Sequence, residues 1–137
     1  MYNATILARL ENLENAGIIS GADAVGQVGS VVTGTMIKFY LRIQDGVITE
    51  AKFKTLGGVF ALVACDIVCE FLANTDIETA LTINSEDIIK AMNGVPENKL
   101  YIIDLAQSAI VDAVDDYYKK LARAKLNQKK WWYYVRL

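Results

Sequence analysis

The chain has 137 residues, 53% apolar and 22% charged, which fits one folded domain and excludes a disordered tail or a low-complexity linker. It contains no histidine, so His-based triads, His general bases and His metal ligands are excluded together. The net charge of −2 conceals an asymmetry: all 16 acids lie before residue 119, whereas residues 119–137 carry seven of the 14 bases. An acidic body with a basic tail predicts a solvated helix end or a patch for an anionic partner, and the charge of the body argues against nucleic acid. Cys65 and Cys69 are the two cysteines and do not make a secreted disulfide framework. The N-terminus lacks a basic region followed by an apolar stretch, and the apolar run 56–65 stops at Asp66, too short to span a bilayer. The expectation is a cytoplasmic protein with no transmembrane segment.

In chain order, Ile6, Leu7, Leu10 and Leu13 recur at helical spacing, with Gly17 as the expected stop. Residues 21–30 are rich in Gly and Ala and read as a loop leading into a first strand at 27–33. Ile37, Phe39, Leu41 and Ile43 alternate with Lys38, Tyr40 and Arg42, the pattern of a strand with one buried and one wet face. Asp45-Gly46 then predicts a hairpin, with the return strand over 47–55. After Gly57-Gly58 the period changes to helical through Val59, Phe60, Val63, Ile67 and Phe71, apolar around most of the circumference and therefore placed in the core. Thr75 to Glu78 matches a capping box, and Ser85 is the expected start of a further short helix. Gly94 and Pro96 mark a loop before a long helix over 99–125, whose acids lie early and bases late. The fold class expected is α+β: a three-stranded antiparallel meander packed against helices. The domain covers 1–126, and an extension over 127–137, with Lys129, Lys130 and the run Trp131-Trp132-Tyr133-Tyr134, is expected to pack back on it because exposed aromatics of this size are unfavourable.

Over residues 1–122 the chain resembles the U-type iron–sulfur cluster assembly scaffolds (IscU, SufU and the N-terminal domain of NifU). The stretches that carry the resemblance are Asn12-Leu13-Glu14-Asn15-Ala16-Gly17, Val25-Gly26-Gln27-Val28-Gly29, Thr33-Gly34-Thr35-Met36-Ile37-Lys38, Ala51-Lys52-Phe53-Lys54-Thr55-Leu56-Gly57-Gly58 and Lys99-Leu100-Tyr101. The resemblance implies the scaffold fold of that family, with cysteine desulfurase or another assembly protein as partner. It also implies where the ligands belong: a Cys and an Asp in a C-G-D motif, the Cys closing K-T-x-G-C, and a final Cys often preceded by His. The aligned residues in this chain are Thr33, Thr35, Gly58, Ile102 and Tyr101. Neither Thr, Gly nor Ile replaces a thiolate on iron or zinc. The family loop L-P-P-V-K, read by a chaperone, is replaced by Val95-Pro96-Glu97-Asn98-Lys99.

Other residues are open to two readings. Cys65 and Cys69, four apart on a helix, share a face and could chelate one metal or accept sulfur, with further ligands from a second copy. The favoured reading is that they are small core hydrophobes. Gly57-Gly58 before a helix could cradle an anion, or simply make a tight strand-to-helix turn. Asp112, Asp115 and Asp116 read as a solvated face, and Asp104 acquires no role. With no nucleophile–base pair in sight, the chain is not expected to be an enzyme. The expected function is that of a scaffold-like protein without the usual ligands and without a resident cofactor, acting by protein binding as an accessory or modulator of cluster assembly. The alternative is an iron–sulfur, metal or sulfur carrier built on Cys65 and Cys69, across a homo-oligomer.

Overall fold

The computed structural model describes residues 2–135, with side chains through Trp131. Helix α1 (Ala4–Glu11) is capped by Asn3, whose side chain accepts from the Ile6 N–H. The Asn3 amide also donates to the Met92 and Asn93 carbonyls, which ties the N-terminus to the other side of the domain. The helix stops at Asn12 rather than running to Gly17.

Strands β1 (Ala24–Ser30), β2 (Thr35–Gln44) and β3 (Val47–Leu56) form the expected meander, and a two-residue β4 (Thr75–Asp76) adds to β3. β1 starts three residues before the expected strand. Its Gly-Ala composition hides it, because its inward positions are small to admit a helix rather than large to fill a core. A Cβ on Gly26 would lie 2.4 Å from the Ala109 carbonyl oxygen and 2.4 Å from the Ala113 nitrogen. The β2–β3 hairpin turns on Asp45 and Gly46 with φ of 51° and 76°, the double positive φ that two-residue hairpins require.

Helix α2 (Val59–Leu72) lies against β3 and is buried along most of its length, while α5 (Leu100–Val135) crosses β1 and β2. Between them come α3 (Ile77–Ala80), α4 (Ser85–Ala91) and a 3-10 turn at Glu97–Lys99. The caps of the short helices fall one residue from their expected places. Asp76 caps α3 through the Thr79 N–H, and Asn84 caps α4 through the Asp87 N–H. Thr75 instead donates to the Phe71 carbonyl. The core joins Ile37, Phe39, Leu41 and Phe53 of the sheet to Val63 and Ile67 of α2 and Ile102 and Ala106 of α5.

Both edges of the sheet are closed. On β3, the segment before β1 runs alongside: the Phe53 N–H donates to the Asn15 carbonyl, and the Gly17 N–H to the Phe53 carbonyl. On β1, the outward N–H groups of Val25 and Gln27 donate to the carboxylates of Asp116 and Asp112 at 2.9 and 2.8 Å. These two acids, Asp112 exposed and Asp116 half-buried, thus cap an edge strand. Burial alone would raise the Asp116 carboxyl, but the Val25 N–H and Lys120 outweigh it and hold it below the ordinary carboxylate value. Asp115 pairs with Lys119, one turn on.

Helix α5 does not stop near Lys125. It continues through residue 126 without a break to Val135, and every described side chain from Tyr118 to Trp131 is exposed. The part of the expected extension 127–137 that the structure describes continues α5 as helix, and Trp131 is 63% exposed. The side chains of Trp132, Tyr133 and Tyr134 lie outside the described residues. No helix among the described residues is long and apolar enough to cross a membrane.

Candidate functional site

The positions singled out by the resemblance come from three places in the chain, and the fold gathers them at one end of the sheet. Thr33 sits in the β1–β2 turn, Thr35 opens β2, Gly58 precedes α2, and Tyr101 and Ile102 begin α5. Thr33, Thr35 and Tyr101 line one cavity of about 400 Å³, together with Gly29, Asp104, Leu105 and Ser108. Gly57 closes against it: a Cβ there would lie 3.1 Å from Thr35 Cγ2.

The chemistry of this cavity is that of hydroxyls and one carboxylate. The Thr33 hydroxyl donates to the Ser30 carbonyl at 3.0 Å and so helps close the turn. Thr35 is 6% exposed, the side chain of Tyr101 is 47% exposed, and Asp104 is exposed at the rim. Ile102 is fully buried and belongs to the core, not to the cavity. Gly58 has φ 87° and ψ −168°, a conformation essentially confined to glycine. A side chain would be strained in this conformation. No group of three or more His, Cys, Asp or Glu that could hold a metal ion exists among the described residues. Threonine and tyrosine hydroxyls with a single carboxylate do not fit an iron–sulfur cluster, which thiolates hold, or zinc in a structural site.

The thiols are elsewhere. Cys65 and Cys69 are both free, and both are fully buried in α2. Burial pushes the Cys65 thiol up to about 12, against a hydrogen bond from Thr55 that works the other way. Burial, with Cys65 adding to it, also raises Cys69 well above its ordinary value. A metal or a sulfur donor needs an accessible thiolate. In this fold both side chains pack in the core.

Sequence reasoning missed one heavily bonded acid among the described residues. Asp66, which only interrupts an apolar run in the sequence, is 1% exposed. It receives Arg9 at 2.9 Å, the Asn15 N–H at 2.9 Å and the Asn15 side-chain amide at 3.1 Å. Arg9 also reaches Glu70 at 2.7 Å. This network locks α1 and the loop after it onto α2, and it is structural. A larger groove of about 640 Å³, lined by Phe71, Thr75, Thr79, Thr82, Ile83 and Lys90, lies beside α3 and α4. The hydroxyls of Thr75, Thr79 and Thr82 are spent on bonds within their own turns.

Comparison with known proteins decides the family. Residues 1–124 match the family described as NifU-like N terminal domain. The chain belongs to that family. It is 32% identical over 120 residues to iron–sulfur cluster assembly scaffold protein IscU 1 of Archaeoglobus fulgidus, covering 88% of this chain and 78% of that one. It is 28% identical over 126 residues to IscU of Aquifex aeolicus, covering 90% and 80%. Among solved structures, the N-terminal part of a NifU-like protein from Brucella abortus superposes with a TM-score of 0.68 at 18% identity, over 86% of this chain and 94% of that one. The α+β class, the antiparallel sheet against helices and the U-type scaffold family all hold.

Proposed function

We propose that this NifU-like chain serves iron–sulfur cluster assembly as a protein-binding frame, an accessory or modulator rather than the holder of a cluster at the usual position. The observation that carries the reading is the cavity at Thr33, Thr35 and Tyr101. There Thr33 stands at a position where the resemblance puts a thiolate, with the hydroxyls of Thr35 and Tyr101 beside it. Around it the surface is apolar. Val31 and Val32 at the β1–β2 turn are 73% and 97% exposed, and Leu56, just before Gly57, is 45% exposed. Apolar side chains exposed together favour contact with another protein. By the family resemblance that partner is a cysteine desulfurase or another assembly protein, and no step of chemistry is assigned to this chain.

The test is anaerobic reconstitution with iron and sulfide, read by visible absorption and metal analysis, next to co-purification with the desulfurase of the same cell. The expected result is no colour, no stoichiometric iron and a stable complex. Stoichiometric iron and sulfide on the unaltered chain would overturn the reading. The variant carrying Thr33→Cys and Thr35→Asp, which returns one thiolate and one carboxylate to the aligned positions that line the cavity, is expected to gain metal that the unaltered chain does not hold.

A further inference from the structure

The outer face of α5 is organised along its whole length. Within the domain its exposed positions include 101, 104, 108, 111, 115 and 118, alternating steps of three and four residues. On the projecting half every described residue is exposed, and the same stripe runs on through 122, 125 and 129. This is one helix face, with the spacing a two-helix pairing would use. It is not wholly polar, as a solvated face would be, since Tyr101, Val111 and Tyr118 are 47%, 56% and 48% exposed.

Charge divides the same helix into two halves. Residues 100–118 hold four acids and no base, and residues 119–137 hold seven bases and no acid. The helix dipole rewards such an order only within the first and last turns, whereas here the sign changes at the middle of a 36-residue helix. The halves are also matched in length. At 1.5 Å per residue the part on the domain, 100–118, runs about 28 Å and the projecting part, 119–135, about 25 Å. Arg123, Lys125, Lys129 and Lys130 make no ion pair among the described residues, unlike Lys119 and Lys120.

We propose that two copies of this chain pair antiparallel through this face of α5, so that the basic end of one helix lies over the cavity of the other. Setting the seams in the usual antiparallel register brings Asp104 opposite Lys129, Ser108 opposite Lys125, Val111 opposite Ala122 and Asp115 opposite Tyr118. The contact is isologous, since each pair occurs twice about one two-fold axis. It also completes a site. Tyr101, Asp104 and Ser108 line the cavity and are the first three residues of the seam, so Lys129 of the second copy sits at the cavity mouth. An anionic lipid surface would also attract the projecting half, but the same face of the other half carries Asp104 and Asp115 and would be repelled. Only a second copy satisfies both halves.

Sedimentation equilibrium of the full chain is expected to give twice the 15.1 kDa chain mass at low ionic strength, with dimerisation weakening as salt is added. Asp104→Lys and Lys129→Glu should each weaken the dimer about tenfold, and the two together should restore it. Val111→Cys with Ala122→Cys should give an interchain disulfide under mild oxidation. Either alone should not, because like positions are 11 residues out of register, about 16 Å apart. A chain that stays monomeric at its highest soluble concentration would overturn the proposal. So would a dimer that crosslinks through Val111→Cys alone, or a monomer captured by phosphatidylglycerol vesicles.

Discussion

The core around α2 and the cavity at the end of the sheet divide between them what a metal or sulfur site needs. Helix α2 holds the thiols, Cys65 and Cys69, where nothing reaches them. The cavity is reachable and offers hydroxyls and one carboxylate. The difference teaches that a donor atom is defined by its surroundings as much as by its element. A sulfur held neutral by burial is a hydrocarbon substitute, and an exposed hydroxyl on a turn is a turn-closing bond. Asp66 makes the same point with a carboxylate, since the residue next to Cys65 is spent wholly on holding α1 and its loop.

The sharpest way to break this contrast is thiol labelling. Cys65 and Cys69 should alkylate at least about a thousandfold more slowly in the native chain than in denaturant, because reaction must wait for unfolding. Rapid labelling without unfolding would refute the packing role. Asp66→Ala, read by urea denaturation, should cost about 3 kcal/mol, since it leaves Arg9 and the Asn15 N–H without their acceptor. A loss under about 1 kcal/mol would mean water replaces the carboxylate easily. Cys65→Ser should cost about 2 kcal/mol by burying a hydroxyl in an apolar site, with no change in metal content. The gentlest test moves the thiol instead. Thr33→Cys should change stability by no more than about 1 kcal/mol, yet label at the rate of a free exposed cysteine, because the turn at 31–34 is open to solvent.

The acid side of the stability profile sharpens a different contact. The Asp116 carboxyl lies below its ordinary value in the fold, so its contribution is fully present above about pH 4 and disappears as pH falls through its folded value. The urea midpoint should therefore drop on acidification, and Asp116→Asn should flatten part of that drop. An unchanged slope in the variant would assign the acid sensitivity to other carboxylates.

Much of the frame was legible from pattern. β2 announces itself because one of its faces is wet, the hairpin because Asp45-Gly46 suits positive φ, and α2 because its apolar period is nearly continuous. The start of β1 is hidden because Gly26 is small for the sake of Ala109 and Ala113, more than eighty residues later, a reason no local window contains. The caps on β1 escaped for the same cause, as Val25 and Asp116 are 91 residues apart. The length of α5 is hard to read because its described side chains from Tyr118 to Trp131 are all exposed, so no burial period marks the continuation. As for the site, spacing alone would not have found Thr33, Thr35 and Tyr101. Only the resemblance marks them, since nothing in a threonine shows that it occupies the place of a thiolate.

The two carboxylates that close β1 carry a consequence for synthesis. The three long strands are complete once Leu56 has been made, but their exposed edge waits for Asp112 and Asp116. For the interval in which the ribosome adds the intervening residues, the nascent meander presents unpaired N–H groups to any extended segment nearby. In the finished chain two of these edge N–H groups are held by carboxylates, whereas in the half-made chain they are not. A nascent chain stalled before residue 112 is thus the form of this protein most apt to join another by its sheet.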